Sequence, residues 1–97
     1  MNIKILPSAN DDLINGYHFY EQQSLGLGSY FLDSLFSDID SLLVYYGLHQ
    51  TFFGDYYRLL SKRFPFAVYY TVEKSDIIVY AVLDCRKNPA WIAGRLE

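Results

Sequence analysis

One cysteine, Cys85, is all the thiol this chain holds. No internal disulfide can form, so the core must stand without a covalent staple. That economy fits a reducing compartment, and a cytoplasmic location is expected. No apolar run reaches the roughly 18 residues of a membrane span, so no membrane partner is expected. The start, "MNIKILPSANDD", meets Pro7 after a five-residue stretch and then turns acidic, which is not the pattern of a signal peptide. Positive charge is not in excess either. The net charge is -3 and the pI about 5.2, which argues against a general nucleic-acid binder. There is no glycine-rich phosphate loop, no Ser/His/Asp set and no zinc spacing, so neither metal nor cofactor is expected. His18 and His49 lie 31 residues apart with no carboxylate to orient them and read as structural or solvent-facing. Cys85, at the end of an apolar run, reads as an inert buried thiol.

What the chain does have is aromatic surface. Ten Tyr and seven Phe sit in a sequence that is 52% hydrophobic, a folded and not a disordered composition. Ninety-seven residues suffice for one domain over 1–97, with a modest core.

Periodicity divides that domain. "NIKIL" alternates and reads as a short strand ended by Pro7. Ser8 is a plausible helix N-cap, with Asp11 completing a capping box. Ala9, Leu13, Tyr17 and Tyr20 follow at helical spacing, giving a first helix to about residue 24. Gly16 inside it suggests close packing with a neighbour. "LGLG" breaks the pattern. Phe31, Leu32, Leu35, Phe36, Ile39, Leu42, Leu43 and Tyr46 then mark a second helix over about 28–45. The short link makes an antiparallel helical hairpin. "GLHQTFFGD" reads as a loop. Strands follow at 56–61, 65–73 and 77–85, with a tight turn at 74–76. In the second of these Phe66, Val68, Tyr70 and Val72 share one face. The last is apolar on both faces, so it is central and covered twice: by the hairpin on one side, and on the other by the C-terminal segment, a second copy or another protein. Asn88 and Pro89 open a short terminal helix. The class is α+β: an N-terminal strand, an antiparallel helical hairpin, a three-stranded antiparallel meander and a short C-terminal helix.

The cations are unevenly placed. Residues 1–50 hold one against six acids, net −5; residues 51–97 hold seven against five, net +2. In a meander the strands at 56–61 and 77–85 run the same way, so their ends share one edge. Lys62, Arg63, Arg86 and Lys87 converge there, with Arg58 nearby, and such a cluster attracts phosphate or carboxylate. The competing reading is a set of surface charges paired to Asp55, Asp84 and Glu97. Trp91 reads as a plug at the sheet edge, or as a stacking platform for a base.

"ANDDL" at the first helix, "YRLLSKRFPFAVYYTVE" (57–73) and "IIVYAVLDCRKNPAWIAGRL" (77–96) together resemble the RelE/ParE superfamily of type II toxin–antitoxin toxins. The resemblance spans nearly the whole chain. It implies a growth-inhibiting protein held inactive by a cognate antitoxin that wraps its apolar and basic surfaces. RelE-like members cut mRNA in the ribosome; ParE-like members inhibit DNA gyrase without being enzymes; an inactive relative would bind only its antitoxin. For a ribosome-dependent endoribonuclease, the resemblance assigns Lys62 as candidate base, Arg63 and Arg86 to phosphate stabilisation, and Arg58, Lys87 and Trp91 to substrate binding. Two departures stand out. Trp91 lies where some ribonucleases carry a catalytic Tyr, and it cannot donate a phenolic proton. Asp84 lies where several relatives have His, and it could pair with Arg86 and blunt the site.

Overall fold

The computed structural model describes residues 1–97. Its elements are β1 (Asn2–Ile5), α1 (Pro7–Gln23), α2 (Leu27–Asp40), α3 (Leu42–Tyr45), β2 (Thr51–Phe53), β3 (Tyr56–Leu60), β4 (Phe66–Glu73), β5 (Asp76–Asp84) and α4 (Pro89–Leu96). The strands form one sheet in the order β1-β5-β4-β3-β2. β1 lies parallel to β5, and every other neighbour pair is antiparallel. The α+β class and the meander are as expected. Two helices and one loop differ from expectation.

First, α1 starts at Pro7 after an N-cap at Leu6, so no Ser8–Asp11 capping box forms. Proline fits the first helical position because its missing N–H would be unpaired there anyway. Ser8 is thereby turned toward the sheet, where its hydroxyl donates to the Tyr80 carbonyl at 3.1 Å. Second, the second helix is interrupted at Ser41, whose hydroxyl bonds back to the Asp38 carbonyl at 2.6 Å. Such back-bonding competes with the helical ladder. Phe36, Leu43 and Tyr46 are exposed, while Phe31, Leu35, Ile39 and Leu42 are buried. Third, the stretch read as a loop contains β2, whose three residues are too few to register a period.

The hairpin closes tightly because two glycines permit it. A Cβ at Gly16 would lie 2.5 Å from the Phe31 ring, and one at Gly28 would lie 2.6 Å from the Tyr17 carbonyl oxygen. Between them the Glu21 carboxylate accepts the N–H groups of Gly26 and Gly28, capping the start of α2. These bonds hold the Glu21 carboxyl below its ordinary range.

β5 explains its own two-sided hydrophobicity. Opposite Tyr69 and Tyr70 stand Ala81 and Val79, so Tyr80 is an extra residue, a β-bulge that shifts the alternation by one. Ile77, Val79 and Val82 pack with the helical hairpin. Ala81 and Leu83 face the other way, joining Ala67, Tyr69, Ile92 and Leu96. The C-terminal segment is therefore the second cover: α4, capped by Asn88 with Pro89 first, lays Ile92 and Leu96 on that face. Tyr56 Oη fastens it by donating to the Leu96 carbonyl at 2.8 Å.

Candidate functional site

β3 and β5 both run antiparallel to β4, so both end at the same edge. Ser61 N–H bonds to the Phe66 carbonyl and Cys85 N–H to the Pro65 carbonyl. The 61–65 turn and the 84–87 turn are thus neighbours, and they carry Lys62, Arg63, Arg86 and Lys87.

The backbones meet, but the side chains are largely engaged elsewhere. Arg86 is held twice by Asp84, Nε to Oδ1 at 3.0 Å and Nη2 to Oδ2 at 2.7 Å, while its own N–H also bonds Oδ1. This fork draws the Asp84 carboxyl below its usual range, the bonded guanidinium being the main cause. Arg63 turns to α2, donating to Tyr30 Oη at 2.9 Å. Lys87 Nζ sits 5.3 Å from the Trp91 ring centroid. Trp91 is half-exposed beside it, also 5.9 Å from the Arg95 guanidinium, and it does not plug the sheet edge. Lys62 is exposed. Arg58 lies on the face of the sheet away from the hairpin, opposite Tyr69, with its guanidinium 5.3 Å from the Phe52 centroid. Tyr69 itself is fully buried and its hydroxyl meets no partner in hydrogen-bond geometry. His18 is exposed, whereas His49 contacts Tyr70 Oη. Cys85 is partly buried, and its thiol donates to the Pro65 carbonyl at 3.3 Å.

Sequence reasoning passed over Asp12. This residue is buried on α1, and its Oδ2 accepts the Val82 N–H at 3.1 Å. Pairing of β1 with β5 stops at Val79, so Ser8 and Asp12 of α1 stand in for the missing strand along that edge. Both Asp12 oxygens also receive Arg95 Nη2 of α4, at 3.0 and 2.9 Å. Burial pushes the Asp12 carboxyl up, against the opposing pull of Val82 N–H and Arg95. The one signal available in sequence was an acid on the apolar side of the first helix, one step from Leu13. A groove of about 500 Å³ opens here between α1 and α4, with Asp12, Phe19, Phe66, Lys87, Trp91 and Arg95 among its walls. No group of three or more His, Cys, Asp or Glu side chains is placed to hold a metal ion. No helix is long and apolar enough to cross a membrane.

The sequence matches no protein-family model and none of the curated proteins. Among solved structures, the chain is similar to one described as the chromosomal ParDE TA system from P. aeruginosa, with a TM-score of 0.74 and 17% identity. The match covers 84% of this chain and 92% of that one. The fold is therefore the one that the RelE/ParE resemblance implied, a likeness carried by backbone architecture far more than by residue identity.

Proposed function

We propose that this chain is the toxin of a type II toxin–antitoxin pair, neutralised by a cognate antitoxin, and that it acts by binding its target, as a ParE-like inhibitor of DNA gyrase does. Its place of action is the cytoplasm. The likeness to a chain of the ParDE system supports the first part. The single observation behind the second is the Asp84–Arg86 fork. A transition-state phosphate is best met by the bidentate Nε–Nη2 edge of a guanidinium, and in Arg86 a carboxylate already occupies that edge.

A specific observation also favours a second reading, the ribosome-dependent mRNA endoribonuclease. The turns bearing Lys62, Arg63 and Arg86 lie side by side. In that reading Lys62 is the base, Arg63 and Arg86 steady the phosphate, and Arg58, Lys87 and Trp91 hold the RNA.

The deciding experiment expresses the chain alone and with the neighbouring reading frame. Growth arrest relieved by that frame is expected. Purified protein is then added to a supercoiling assay and to translating ribosomes. Loss of supercoiling with intact mRNA is the expected result. Cuts at codon boundaries, lost in Lys62→Ala or Arg86→Ala, would overturn the binding reading in favour of the nuclease.

A further inference from the structure

The longest run of the chain without Asp, Glu, Lys or Arg is 41–54. It opens with α3, a single turn that carries only Leu42 into the core. A helix of one turn points its side chains all round, so one can face inward and the others cannot. Leu43, Val44, Tyr45, Tyr46 and Leu48 are all exposed, Val44 at 71% and Leu48 at 78%. The chain folds back as it leaves α3: the Tyr46 N–H bonds to the Leu42 carbonyl at 3.0 Å, and the Leu48 N–H to the Tyr45 carbonyl at 3.1 Å. These bonds keep the five side chains together as one apolar patch.

Other exposed aromatic rings have charged company. Lys87 and Arg95 stand over Trp91, and Arg63 over Tyr30. Here the segment supplies none, and the nearest charge along the chain is Asp40. The patch also lies apart from the cationic turns. α3 packs beside β1, and β1 pairs with Asp76–Val79, the first half of β5. Arg86 and Lys87 follow the far end of β5, beyond Asp84. A partner held by those cations is engaged at the other end of the sheet.

Area and chemistry fit one occupant here, a second copy of the chain. The five residues expose roughly 500 Å², at the upper end of what a monomer leaves in one patch. Two such faces in contact bury about 1,000 Å², the threshold of a specific interface and the size of a weak, reversible one. A chain of net charge -3 repels its copy where acids meet, and an uncharged face lets the two approach without that repulsion. In a two-fold contact each patch meets its own counterpart, so apolar surface meets apolar surface. Tyr45 and Tyr46 suit such a contact, because a tyrosine can bury its ring and keep its hydroxyl wet.

We propose that two copies of the chain associate through this face across a two-fold axis, covering Leu43, Val44, Tyr45, Tyr46 and Leu48 of each. The contact uses none of the cationic residues, so its failure would leave the toxin reading standing.

The test is sedimentation of the full chain from micromolar to millimolar concentration. Wild type is expected to move from one chain of 11.3 kDa toward twice that mass as concentration rises. Salt should not weaken the association, because no ion pair holds it. Val44 is too exposed to matter to the fold, and Val44→Glu is expected to weaken association about tenfold or more by setting like charges against each other. An equal mixture of Val44→Glu and Val44→Lys chains should associate more tightly than either alone, which holds only if the face meets itself. A wild type monomeric at millimolar concentration, a Val44→Glu protein that associates like wild type, or an association that salt dissolves would each overturn the proposal. A monomeric wild type together with loss of antitoxin binding in Val44→Glu would assign the face to the antitoxin, and would overturn it too. If Val44→Glu does not fold, NMR dilution of the wild type decides: concentration-dependent shifts at 43–48 support the contact, and shifts confined elsewhere overturn it.

Discussion

Asp12 and Arg95, 83 positions apart, join the first helix to the last through two oxygens and one guanidinium nitrogen. The same carboxylate satisfies the Val82 N–H where parallel pairing of the sheet ends. Three elements depend on one buried acid. Asp12→Ala leaves a buried backbone donor and a part-buried cation unpaired, a loss of about 3 kcal/mol. For a domain of this size that lowers Tm by roughly 15 °C. Thermal unfolding followed by circular dichroism measures it, and a change of only a degree or two would refute the bridging role.

Gly28→Ala tests how closely the hairpin is packed. The added methyl would meet the Tyr17 carbonyl oxygen at 2.6 Å and Glu21 Cβ at 2.9 Å. Backbone cannot swing aside as a side chain can, so α1 and α2 must separate. A loss of about 2 kcal/mol is expected in denaturant unfolding, the usual scale for overpacking. A neutral or stabilising result would place the helices farther apart than described.

His49 makes stability depend on pH. Burial holds its imidazole below the ordinary value of 6.5, because the folded state keeps it neutral. A depressed pKa contributes stability that is present above pH 6.5 and lost as pH falls toward the folded value. Protonation of Nδ1 also removes the acceptor for the Tyr70 hydroxyl. Urea unfolding at a series of pH values should show this acid limb. His49→Phe should abolish the limb and cost about 2 kcal/mol at neutral pH through the orphaned hydroxyl. An identical pH profile in both proteins would rule out His49 as its source.

Asp84→Asn separates stability from anion binding. The Asp84–Arg86 pair is largely solvent-exposed on the arginine side, 66%, so losing it should change stability by at most about 1 kcal/mol. The released guanidinium becomes available to an external phosphate. Binding of a single-stranded oligoribonucleotide should then gain one contact, steepening the log–log salt dependence by about 0.7. An unchanged slope would mean that Asp84 does not hold Arg86 away from ligands.

Much of the architecture was legible because burial leaves a period in the residues. Ala9, Leu13 and Tyr20 on α1, and Phe66, Val68, Tyr70 and Val72 on β4, face the hairpin core as their spacing indicates. Asn88 and Pro89 open α4 as composition suggests, since capping is a local matter. Gly16 is packed against Phe31, as a glycine within a helix hinted. β2 was illegible, because three residues show no alternation and its pairing is decided by β3. The start of α1 was misplaced because Ser8 finds its partner at Tyr80, 72 residues away, and not within its own first turn.

The cationic turns divide the same way. Chain direction alone brings Lys62, Arg63, Arg86 and Lys87 to one end of the sheet, since strands two apart in a meander run alike. The Asp84–Arg86 pair was also within reach, being separated by two residues. The sequence by itself determined where the longer helices and strands lie, which of their faces are apolar, and where along the chain the charges fall, because those follow from local periodicity. Only the tertiary structure decided what each guanidinium touches. Tyr30 and Asp12 reach Arg63 and Arg95 across packed elements, 33 and 83 positions away, and no local pattern records a contact made over such distances.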